Sequence, residues 1–95
     1  MSSEALAAKY IGSAEKVFRE LKQTGAAVTV SVGDAAKVLS WAADYLEDAK
    51  YYKAQGKFET SLTSVAYCEG LLDALRLIGA VTFEWPTNQE RKKLS

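Results

Sequence analysis

The sequence predicts an all-α fold: an up-down-up three-helix bundle over about 3–24, 32–55 and 58–78, followed by a short extended C-terminal segment. Three observations carry this. Apolar residues recur at three- and four-residue spacings through most of the 95 residues. Gly25, Gly56 and Gly79 stand where those patterns stop, as helix-ending glycines do. The stretch from Phe58 to Gly79 carries apolar or small side chains around most of its circumference, as expected of a helix packed against several neighbours.

The first helix is expected from Ser3 to Thr24, with Glu4 at the positive end of the helix dipole. Ala7, Ile11, Ala14, Phe18 and Leu21 form its core-facing seam, widened by Tyr10 and Val17. Lys9, Lys16, Arg19, Glu20 and Lys22 occupy the other face. Glu15–Arg19 and Lys16–Glu20 are spaced to pair across one turn.

Val28, Val30 and Val32 alternate with Thr29 and Ser31, the period of an extended segment. Ser31-x-x-Asp34 then has the form of a capping box opening the second helix. In that helix Ala35, Ala42 and Ala49 recur every seven residues. Such a seam lets a neighbour come closer than the usual 8–10 Å. Gly56 and Lys57 leave room only for a tight turn, so the third helix returns antiparallel. Folding about Gly56 brings Ala42 level with Gly70. Ala66, Gly70 and Ala74 are therefore expected to meet the alanine seam, with the first helix closing over the hairpin.

Beyond Gly79, Val81, Phe83 and Trp85 alternate with Thr82 and Glu84 until Pro86. This segment is expected to cross the mouth of the bundle, pairing with Val28–Val30. Residues 88–95 are polar and expected to fray. The whole is expected to form a single domain over 1–95.

Lys+Arg and Asp+Glu cancel at 12 each, so no net field draws the chain to nucleic acid or an anionic membrane. Arg91-Lys92-Lys93 is too short a basic run to imply nucleic acid. No apolar run approaches the roughly 20 residues of a membrane span. The N-terminus lacks the pattern of a signal peptide, and one cysteine permits no intrachain disulfide. A cytoplasmic location is expected. Histidine is absent, which removes the commonest general base and transition-metal ligand.

Candidate chemistry is acidic. Asp44 and Asp48 on the second helix and Glu69 and Asp73 on the third are each four residues apart. Carboxylates converging from facing helices hold hard cations such as Mg²⁺ or Mn²⁺, and these four are the candidate metal ligands. The ordinary alternative is a solvated face, with Glu47–Lys50 and Asp73–Arg76 as surface pairs and Asp48 accepting from a tyrosine hydroxyl. Asp44-x-x-Glu47 resembles half of the all-α nucleoside triphosphate pyrophosphohydrolase pattern, but Glu69-x-x-x-Asp73 departs from the other half by about 100° of rotation. Cys68 reads as a buried, inert thiol. Trp41, Tyr45, Tyr51, Tyr52 and Tyr67 form an aromatic band. Trp41 and Tyr51 exposed together would mark an interface.

The residues Ala43-Asp44-Tyr45-x-x-Asp48-Ala49-x-Tyr51-Tyr52, then Gly56, then Tyr67-x-Glu69-Gly70-Leu71-Leu72-Asp73-Ala74-Leu75-Arg76-x-x-Gly79, resemble the small archaeal proteins grouped as domain-of-unknown-function family 357. The likeness spans about Ser31 to Gly79. It implies a short cytoplasmic helical bundle without an established activity, in an accessory role. The expected function is a non-enzymatic interaction module with a protein partner or a second copy and no cofactor. The alternative is divalent-metal-dependent nucleotide binding or hydrolysis at the four carboxylates.

Overall fold

Two glycines in left-handed conformation set the topology. Gly56 (φ 75°) and Gly79 (φ 78°) end the two long helices, and each does so through the same paired bonds. Gly56 N–H donates to Lys53 O (3.0 Å) and Lys57 N–H to Tyr52 O (2.9 Å). Likewise Gly79 N–H donates to Arg76 O (3.0 Å) and Ala80 N–H to Leu75 O (2.9 Å). These are Schellman closures, which an L-residue at the glycine position would strain. The computed structural model describes residues 2–94. Its elements are α1 (Ser3–Glu20), α2 (Val32–Ala54), α3 (Phe58–Leu77) and α4 (Asn88–Leu94). All are helical, and no strand occurs among the described residues.

Helix α2 starts where its cap predicts, with Asp34 N–H donating to Ser31 Oγ at 3.0 Å. It forms an antiparallel hairpin with α3. The register is set by Ser61 Oγ, which donates to Ala49 O at 2.7 Å. Seven residues on in each direction, two turns of helix, this register puts Ala42 level with Cys68 and Ala35 level with Leu75. Ala42, Ala49, Cys68 and Leu75 are the buried apolar residues. Ala35, Ser64, Val65, Leu71 and Leu72 line the same seam, half-buried.

The level expected for Gly70 holds, but its face does not. Gly70 is exposed, and a Cβ built there would meet nothing within 4 Å. Ala66 and Ala74 are exposed beside it. The alanine seam packs instead against the Ser61–Cys68–Leu75 side. Leu75 offers more apolar area to bury than a glycine, and burial of area decides the rotation.

Helix α1 stops at Glu20, a turn short of Thr24. It does not close over the hairpin: among the described helices only α2 and α3 bring their backbones within 8 Å. The first turns of α1 share a shallow hollow with Glu59, Thr60 and Thr63, and every described residue of α1 is exposed. With no neighbour to pack on, the polar Lys22-Gln23-Thr24 turn gains nothing from being helical. The expected three-helix bundle is thus an α2–α3 hairpin with α1 standing off it.

The C-terminal segment is extended, as the alternation predicts, with Val81, Phe83 and Trp85 half-buried and Thr82 and Glu84 exposed. Its course differs from the expectation. It turns back along α3: Phe83 lies beside Arg76 (5.2 Å from guanidinium to ring centre) and Trp85 beside Asp73. Val28–Val30 stays unpaired, since the apolar groove of the hairpin offers this strap more burial than an isolated two-stranded pairing. Residues 88–94, where fraying was expected, are helical, and Ser95 lies outside the described residues. Thr87 and Glu90 form a reciprocal capping box, with Glu90 N–H donating to Thr87 Oγ1 (3.2 Å) and Thr87 N–H to Glu90 Oε1 (3.3 Å).

Candidate functional site

Trp41, Asp44, Tyr45 and Asp48 stand at spacings of three, four and three residues along α2 and so share a face. Tyr67 of α3 leans on Tyr45, ring centres 4.4 Å apart with planes inclined at 36°. Together these five line an open hollow of about 470 Å³. Asp44 and Asp48 have no hydrogen-bond or ion-pair partner among the described residues.

The other two candidate carboxylates lie elsewhere. Glu69 lines a second hollow with Leu46, Cys68, Leu72, Trp85 and Pro86. Asp73 Oδ1 accepts from Trp85 Nε1 at 2.7 Å. The structure thus brings Asp44 and Asp48 together and leaves Glu69 and Asp73 on the strap side. Among the described residues no group of three or more His, Cys, Asp or Glu side chains is placed to hold a metal ion.

The surface pairs formed only in part. Glu47–Lys50 is made at 3.0 Å and Lys16–Glu20 at 2.9 Å. Arg76 turns to the Phe83 ring rather than to Asp73. No tyrosine hydroxyl reaches Asp48. Cys68 is buried, and desolvation, reinforced by the neighbouring Glu69 carboxylate, pushes its thiol above the ordinary range. Such a thiol is a poor nucleophile at neutral pH.

The larger feature is apolar and open. Ile11, Val17 and Phe18 on α1 are more than half exposed, Phe18 at 77%. On the outer side of α3, Leu62 (67%) and Leu77 (82%) flank the exposed small strip Ala66, Gly70, Ala74. Trp41 and Tyr51 are both exposed. Chain dimensions agree: the radius of gyration is 16.3 Å, against about 12 Å for a compact chain of this length. Helix α4 stands where only a frayed tail was expected. Thr87-x-x-Glu90, a T-x-x-E box, was the sequence signal for α4.

No helix of the described residues is long and apolar enough to cross a membrane. A family model described as "Protein of unknown function (DUF357)" matches residues 7–81. No curated protein and no solved structure matches the chain.

Proposed function

The chain belongs to the DUF357 family of proteins of unknown function, and we propose that it is a non-enzymatic, cytoplasmic interaction module that works by presenting the apolar faces of α1 and α3 to a protein partner. One observation carries the reading. The accessible surface is 8172 Å², against about 5,400 Å² for a folded monomer of 10.4 kDa. Ile11, Phe18, Leu62 and Leu77 are among the large apolar side chains left exposed, and contiguous exposed apolar surface marks an interaction site. Most of a helix's stability in a protein comes from packing its amphipathic face, so α1 gains most from a surface to lie on.

Replacing Ile11 or Phe18 by Glu tests it. Both side chains face solvent, so each variant leaves the thermal melt of the dilute chain unchanged while abolishing association. A melt lowered by several degrees would make them core residues of a closed bundle and end the reading.

The competing reading, a Mg²⁺ or Mn²⁺ site serving a nucleotide, draws on the two unpaired carboxylates Asp44 and Asp48. It also needs Glu69 or Asp73 to move to their side of the hairpin, at the cost of the Asp73–Trp85 bond.

A further inference from the structure

We infer that the partner covering α1 and the outer face of α3 is a second copy of this chain, each copy laying its α1 on the α3 of the other. The inference rests on the interaction-module reading above and names its partner. Three observations lead to it.

The first is area. The surface exceeds that of a compact monomer by about 2,800 Å² per chain. Covering this excess on two copies buries about 5,600 Å², which is the size of an obligate homodimer interface. The second is that one chain carries both halves of the fit. Helix α1 offers the large side chains Tyr10, Ile11 and Phe18. The outer face of α3 offers the shallow strip Ala66, Gly70, Ala74, with open space over Gly70. A two-fold axis lets both copies satisfy both halves at once, which is the condition for a closed isologous interface. The third is the connection. Residues 21–31 are irregular, and α1 meets its own α3 only at the hollow beside Glu59, Thr60 and Thr63, with no Cα of one within 8 Å of a Cα of the other. An open arm on a non-helical hinge is how an element is exchanged between protomers. Zero net charge leaves no long-range repulsion between copies.

The test is light scattering over a concentration series on the wild type, Phe18→Glu and Gly70→Leu, with hydrogen exchange on α1. Isotope-filtered NMR on a mixture of labelled and unlabelled chains completes it. The inference expects a dimer, α1–α3 contacts between labelled and unlabelled copies, and loss of the dimer in both variants. Gly70→Leu is expected to keep the helical signal of the hairpin, because its added side chain points into open space. A dimer that survives both variants, or one whose α1–α3 contacts lie within a copy, overturns the exchange. A monomer at every concentration with fast-exchanging α1 amides overturns the second copy but leaves a different protein as partner. A monomer with protected α1 amides overturns both this inference and the interaction module, since α1 then closes on its own hairpin.

Discussion

Trp85 Nε1 donates to Asp73 Oδ1 at 2.7 Å, and this bond fastens the C-terminal strap to the middle of α3. It converts an extended tail into the cover of the hollow that contains Cys68. Trp85 and Asp73 are both half-buried, so the bond is partly shielded from competing water.

Trp85→Phe keeps the ring and removes the donor. It is expected to destabilise the fold by about 1 kcal/mol, a fall of roughly 4–8 °C in Tm. Asp73→Asn keeps an acceptor and is expected to cost less. Thermal melts of the two variants check the order; an unchanged Trp85→Phe melt would show that the strap is held by apolar contact alone.

Ala42 and Gly70 respond in opposite directions. Ala42 is 1% exposed, and Ala42→Leu forces α2 and α3 apart, costing about 1–3 kcal/mol or more. Gly70→Ala meets nothing and gains up to about 1 kcal/mol in helix propensity. Denaturant unfolding of both variants reads the difference. A Gly70→Ala that destabilises the chain at dilutions where it is monomeric would put a close neighbour over Gly70 within the fold.

Cys68 is expected to alkylate slowly at neutral pH. It is buried and lines one hollow with Trp85 and Pro86 of the strap, and its thiol is held above the ordinary range by desolvation and by Glu69, so little thiolate is present. Trp85→Ala opens the cover and is expected to speed labelling severalfold while the hairpin remains helical. Timed labelling followed by mass spectrometry decides it; equal rates would mean that access comes only through global unfolding.

Millimolar Mg²⁺ or Mn²⁺ is expected to leave the melt unshifted, because Asp44 and Asp48 line one hollow, Glu69 lines another and Asp73 is bonded to Trp85. A specific site filled at a hundred times its dissociation constant would add about 2.7 kcal/mol. A shift of that size, lost in Asp44→Asn, would revive the metal reading.

The ends of α2 and α3 were legible from the sequence because the signals are local. Ser31 bonds the N–H of Asp34 three residues on, and Gly56 and Gly79 supply the left-handed turns from neighbours within one turn of helix. The Ala35–Ala42–Ala49 seam was legible too, since a seven-residue spacing of small residues defines a face without reference to its partner. The site was less so. Asp44 and Asp48 fall together because they share one helix, whereas whether Glu69 and Asp73 join them depends on how α3 is rotated.

The sequence by itself determined α2, α3 and the hairpin they form, because capping and period are written in contiguous residues. Only the tertiary structure decided which side of α3 meets α2. That helix is apolar or small nearly all round, so both the Ser61–Cys68–Leu75 side and the Ala66–Gly70–Ala74 side satisfied the pattern. The larger buried area of Leu75 and the Ser61–Ala49 bond chose between them. The same holds for α1: its stripe marks an apolar face, and only the tertiary structure shows that the hairpin leaves that face exposed.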